Sequence, residues 1–107
     1  ILMIDEKLFR STLRQCVDSL LGSLNNKSYT VHHINNGYCA DLAHIVWESF
    51  GRSNEIEIYS DEELGADDYT HTFIKFNDLY YDAECLDGEE DWTQLPIFHD
   101  PDRIVKW

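Results

Sequence analysis

From Phe9 to Leu24 the apolar residues Phe9, Leu13, Cys16, Val17, Leu20 and Leu24 recur at steps of three and four, the spacing of one buried helical face. A helix is expected from Asp5 to about Leu24, with Asp5 as its N-cap and Cys16 inside the apolar stripe as a small buried hydrophobe. It should fade between Gly22 and Asn26, where Gly, Ser and paired Asn compete with helical hydrogen bonding. Residues 25–38 are turn-rich apart from the short apolar-aromatic stretch Tyr29 to Ile34, and read as a loop or short strand ending in the turn signal Asn36-Gly37. The clearest element follows, a helix over Cys39 to Phe50. Its residues Cys39, Ala43, Val46, Trp47 and Phe50 share one face, Gly51 supplies a stop, and Arg52 suits the negative end of the helix dipole.

The period then changes. Glu55-Ile56-Glu57-Ile58-Tyr59 alternates polar and apolar, as a strand with one wet face does. Residues 61–68 form an acidic loop. Tyr69 to Phe76 and Leu79 to Cys85, separated by Asn77-Asp78, read as an antiparallel hairpin. Leu86 to Asp91 reads as another acidic turn, and Trp92 to Phe98 with Ile104-Val105 as an edge strand or a wrap over the core, kept irregular by Pro96 and Pro101. The expectation is an α+β fold in one domain over residues 1–107, with N-terminal helices packed on a small antiparallel sheet of at least three strands.

Composition supports a real interior: 43% of residues are hydrophobic, with three Trp, six Tyr and five Phe, despite a net charge of -13. The charge is uneven. Residues 1–53 hold five acidic and five basic side chains, residues 54–107 sixteen acidic and three basic. Such a surface repels phosphate backbones, so direct nucleic-acid binding is not expected, while basic peptides or proteins are attracted. No apolar run approaches the ~20 residues that span a bilayer, and no signal peptide is recognisable. Three cysteines without framework spacing suit a reducing, cytoplasmic setting.

The chemistry centres on Cys39. At the first turn of a helix, unpaired N–H groups and the positive dipole end favour the thiolate, and the same N–H groups can donate to a developing oxyanion. A side-chain amide from Asn35 or Asn36 would add a second donor. The thiol needs a base, and His71, at the start of a strand, is the best candidate. With Asn77-Asp78 as a two-residue turn, Phe76 pairs with Leu79, Phe73 with Asp82 and His71 with Glu84. Both carboxylates then lie on the face of His71. Glu84 sits directly opposite and Asp82 one diagonal away, and either would orient the imidazole. The plainer alternative makes His71 an exposed strand residue and Asp82 a surface acid. His32, His33 and His99 read as loop or surface residues. Their spacings with His44, Cys39 and Cys85 match neither a zinc ribbon nor a helical His pair, so no metal and no cofactor is expected.

In order along the chain, Gly37-Tyr38-Cys39-Ala40-Asp41-Leu42-Ala43, His71-Thr72-Phe73-Ile74 and Tyr80-Tyr81-Asp82-Ala83-Glu84 resemble the motifs of the papain-like cysteine peptidase and transglutaminase-like superfamily in its compact bacterial forms. The resemblance covers roughly residues 35–86. It implies a papain-like fold with the nucleophile at the start of the central helix, and a triad of Cys39, His71 and Asp82 acting on an amide, peptide or thioester carbonyl. Phe73 departs from the Trp that many transglutaminase-like members carry two positions after the histidine. The rival reading is non-enzymatic: an acidic binding module, a charge mimic or an inactive papain-like domain, engaging a basic protein partner.

Overall fold

The computed structural model describes residues 4–24, 30–35, 38–60 and 71–99. The expected acidic loop 61–68, the turn pair Asn36-Gly37, Pro101 and Ile104-Val105 lie outside the described residues, as does the side chain of His32. The architecture is α+β: helices α1 (Glu6–Ser23), α2 (Val31–Asn35) and α3 (Cys39–Ser49), then strands β1 (Ile56–Ser60), β2 (Thr72–Phe76), β3 (Leu79–Asp82) and β4 (Cys85–Glu89). Neighbouring strands pair antiparallel in the order β1-β2-β3-β4. Among the described residues no helix is long and apolar enough to cross a membrane.

Helix α1 follows its apolar stripe. Asp5 caps it by accepting from the Lys7 N–H, and Phe9, Leu13, Cys16, Val17 and Leu20 are buried. Phe9 lies at the centre of the helix-side core, stacked on Phe76 at 4.3 Å and meeting the edge of Tyr81 at 4.8 Å between ring centroids. The loop or short strand expected within 25–38 is corrected in part: Val31–Asn35 is a single helical turn. Thr30 starts it by accepting the His33 and Ile34 N–H groups, and Ile34 is driven fully into the core.

Helix α3 begins at Cys39 as the pattern predicts. Its most buried residues are Leu42, Ala43 and Val46, with Cys39, Trp47 and Phe50 half-buried at the margins. The inward face is thus centred nearer Leu42 than the stripe through Trp47 suggests. The stop is a Schellman motif: the Arg52 N–H donates to the Trp47 carbonyl and the Gly51 N–H to the Glu48 carbonyl, with Gly51 at φ 66°.

Asn77 and Asp78 both take left-handed angles, φ 52° and 65°, the geometry of a two-residue hairpin turn. The register is Phe76↔Leu79 and Ile74↔Tyr81, as the turn dictates. Two expectations fail beyond it. Strand β3 ends at Asp82 instead of running to Cys85, and Cys85–Glu89 is a fourth strand instead of an acidic turn. The chain reverses at Ala83-Glu84, so that Asp82 pairs with Cys85. Edge strand β4 shows no clean alternation because most of its residues are only half-buried.

Gly88 in this strand has φ 90°, and a Cβ there would lie 2.9 Å from the Tyr81 ring. Gly88→Ala is therefore expected to lower unfolding free energy by about 2–4 kcal/mol, from left-handed strain plus overpacking. The shift in urea midpoint measures it.

Residues 92–99 form two 3-10 turns, Trp92–Gln94 and Pro96–His99, so the tail wraps instead of adding a strand. Phe73 alternates with the core-facing Ile74 and Phe76 and so points to the opposite face of the sheet. There Trp92 stacks on it at 6.0 Å, Phe98 meets it edge-on at 6.3 Å, and Leu95 and Ile97 are buried. The sheet is covered by helices on one face and by this aromatic strap on the other.

Candidate active site

Three elements converge on Cys39. Helix α3 places it in the first turn, where no side chain caps the helix, since the N-cap Tyr38 makes no side-chain cap hydrogen bond. Strand β2 delivers the Thr72 N–H, which donates to Cys39 Sγ at 3.4 Å. The residue just before β2 is His71, 1% exposed, whose ring and the Cys39 thiol lie close enough to shift each other's ionisation. His71 Nε2 lies 3.0 Å from Asp82 Oδ2. The carboxylate can only accept there, which assigns the proton to Nε2 and leaves the buried Nδ1 as the nitrogen that would take a second proton. The other carboxylate oxygen, Oδ1, accepts the Glu84 N–H at 2.9 Å, an Asx turn that follows from the tight reversal at Ala83-Glu84. Asp82 is 2% exposed, with both oxygens hydrogen-bonded.

The electrostatics suit an ion pair. Burial pushes the Cys39 thiol up, but the hydrogen bond and charge of His71 and the N–H groups of Thr72 and Ala40 outweigh it, and its pKa is lowered. For His71, burial disfavours the cation. The hydrogen bonds to Asp82 and Cys39 and their charges overcome that and raise the imidazole from its ordinary 6.5 to about 9. Proton transfer from thiol to imidazole is thus favoured in place. Cys85 shows the contrast: half-buried and without such a partner, its thiol is pushed up to about 11, mainly by burial.

Aromatic rings hold the imidazole. Phe98 packs edge-on to the His71 ring at 5.8 Å and Phe73 lies at 5.9 Å. These contacts exclude water from the His71–Asp82 hydrogen bond, which strengthens it. On the inner side of Cys39, the space bounded by Asn35, Leu42, Ile74 and Tyr81 has no room for a water-sized molecule. That side offers no access to the sulfur.

Cys39, His71 and Asp82 are brought together; Glu84 and Asn35 meet elsewhere. Glu84 does not face His71, because the reversal after Asp82 turns its side chain toward Asn35, whose Nδ2 donates to Glu84 Oε1 at 2.8 Å. Asn35 is 2% exposed, and its amide is committed to that carboxylate. Asn36 lies outside the described residues. The other histidines whose side chains are described lie elsewhere: His33 Nδ1 accepts the Thr30 N–H, His44 packs against Trp47, and His99 Nε2 bonds the Thr93 carbonyl. Among the described residues no three His, Cys, Asp or Glu side chains gather as a metal-holding group. The sequence gives no sign of the Thr72 N–H, nor that the wrap over Trp92 to Phe98 lies against His71. A backbone donor leaves no mark in the side-chain pattern, whereas the aromatic run Trp92 to Phe98 was a visible sign of burial.

Comparison with family models, curated proteins and solved structures finds no match to this chain.

Proposed function

We propose that the chain is a cysteine-nucleophile hydrolase or acyl transferase acting on an amide, peptide or thioester carbonyl, built as a compact papain-like domain and working in the cytoplasm. The observation that carries this reading is a thiol in a first helical turn that accepts the Thr72 N–H, next along the chain from a buried imidazole held by Asp82. In the reaction, Cys39 Sγ attacks the carbonyl carbon as the thiolate, forming the C–S bond. The N–H groups in the first turn of α3 stabilise the oxyanion. His71 delivers its proton to the leaving amine or thiolate as that bond breaks, which leaves a thioester on Cys39 and a neutral imidazole. An incoming water or amine then gives a proton to His71, attacks the thioester and releases the thiolate.

The test is acylation by an activated ester such as a p-nitrophenyl ester. A burst approaching one equivalent of p-nitrophenolate is expected, with the acyl mass on the peptide containing Cys39 and its loss in Cys39→Ala. An absent burst, or an acyl group spread over all three cysteines, overturns the reading.

A second reading rests on the charge of the later half, sixteen acidic against three basic side chains: a module that engages a basic protein. It predicts binding that weakens with salt and is indifferent to Cys39→Ser. In the enzyme reading the same charge favours substrates that carry positive groups.

A further inference from the structure

Glu84 is hydrogen-bonded to both halves of the site. Its backbone N–H holds Asp82 Oδ1 at 2.9 Å, and Asp82 holds His71. Its carboxylate holds Asn35, the last residue of α2. From there a short hydrogen-bonded path leads to the nucleophile: the Tyr38 N–H donates to the Ile34 carbonyl at 2.8 Å, and the Leu42 N–H to the Tyr38 carbonyl at 3.0 Å. Cys39 lies inside that path. Ile34 is fully buried and Asn35 nearly so, so this end of α2 has little freedom to shift independently.

We propose that Glu84 is a positioning residue that sets the distance between nucleophile and base, its carboxylate fixing the α2–α3 junction through Asn35 while its backbone fixes Asp82. The inference rests on the reading of Cys39 as nucleophile. The hydrogen bond from Asn35 is buried at its donor end and charge-assisted, the kind that resists displacement by water. Beside it, the start of α3 meets the sheet through the Thr72 N–H on Cys39 Sγ and through the apolar packing of Leu42 and Ala43, neither of which fixes the distance to Asp82 as a directional bond does. A misplacement of about 1 Å there is enough to cost roughly 10²-fold in rate.

The test compares single-turnover acylation and the pH profile of Cys39 alkylation by iodoacetamide in the full chain and four variants, with the thermal midpoint recorded for each. Glu84→Gln keeps an oxygen that accepts from Asn35 and is expected to stay within about threefold of wild type. Asn35→Asp sets carboxylate against carboxylate and Glu84→Ala removes the acceptor. Each is expected to slow acylation by roughly 10–10²-fold and to move the alkylation profile to higher pH. The double variant Asn35→Asp with Glu84→Gln reverses the hydrogen bond, the introduced amide donating to the introduced carboxylate, and should recover at least about tenfold of the loss in Asn35→Asp.

Normal wild-type reactivity with unmoved pH profiles in Asn35→Asp and Glu84→Ala, whatever their thermal midpoints, overturns the positioning role and leaves the nucleophile reading intact. A double variant no better than Asn35→Asp also overturns it. Should Asn35→Asp not fold, Glu84→Ala against Glu84→Gln decides by the same two readouts. Wild-type Cys39 that is no more reactive than Cys85 overturns the nucleophile reading, and this inference with it.

Discussion

At pH 7 iodoacetamide is expected to label Cys39 at least about tenfold faster than Cys85. A thiol at 11 is ionised to about one part in 10⁴ at this pH, and one below 9 to more than about one part in 10². Lower basicity returns roughly a tenfold share of that advantage as weaker intrinsic nucleophilicity. The opposite displacements of the two thiols set the difference, Cys39 lowered and Cys85 raised to about 11. Cys16, 6% exposed in the core, should label last because it is shielded.

His71→Ala removes the hydrogen bond and charge that outweigh the burial of Cys39. Labelling at pH 7 should then fall by roughly tenfold or more, with the profile moved to the alkaline side. Mass-spectrometric rates at each cysteine between pH 5 and 10 measure all of this. For acylation the profile gains a second limb. The rate should rise with pH as the Cys39 thiolate forms and fall again near pH 9 as His71 loses the proton it must donate. The two limbs belong to the thiol–imidazole pair jointly. Equal labelling of Cys39 and Cys85, or a His71→Ala profile superimposed on wild type, refutes the activated thiol.

Asp82→Ala should have the largest effect on stability. It takes the carboxylate from a buried imidazole and leaves the Glu84 N–H without its acceptor. Removing one partner of a buried ionic hydrogen bond costs about 3–5 kcal/mol, a large part of the 5–15 kcal/mol typical of a domain. Asp82→Asn keeps the shape and an oxygen, so it should cost less and serve as the folded variant for kinetics. Its acylation rate should fall by about 10²–10⁴-fold, the range that general acid–base catalysis supplies.

The sign of the pH dependence follows from His71. Its pKa in the folded chain is raised above the unfolded value, so its protonation stabilises the fold fully below about pH 6.5 and ceases to do so as pH rises through about 9. Replacing Asp82 removes a main cause of that raised value. The stability gap between wild type and Asp82→Asn should therefore be widest below pH 6.5 and narrow toward pH 9–10. Urea titrations across that range measure it, and a gap that widens with pH contradicts the assignment of Asp82 as the partner of a protonated His71.

Much of this arrangement is legible in the residues. The three- and four-residue apolar steps determine α1 and α3, and Asp5 and Gly51 mark an end of each. Alternation determines β1, and Asn77-Asp78 determines the hairpin and its register. These are local effects: a periodic stripe, a cap or a left-handed turn needs no knowledge of what packs against it. Local pattern also puts Cys39 in a first helical turn and His71 at a strand start.

Tertiary structure decided which carboxylate meets His71. Strand register favoured Glu84, and the reversal at Ala83-Glu84, a consequence of β4 pairing with β3, gave the place to Asp82 and sent Glu84 to Asn35. It also decided that residues 92–99 cover His71, because 3-10 turns have no period long enough to read, and their position depends on the ring of Phe73 that they bury. The displacement of the Cys39 and His71 pKa values belongs to the same category. It arises from burial and from contacts between residues 32 positions apart, and proximity of that kind is a property of the fold.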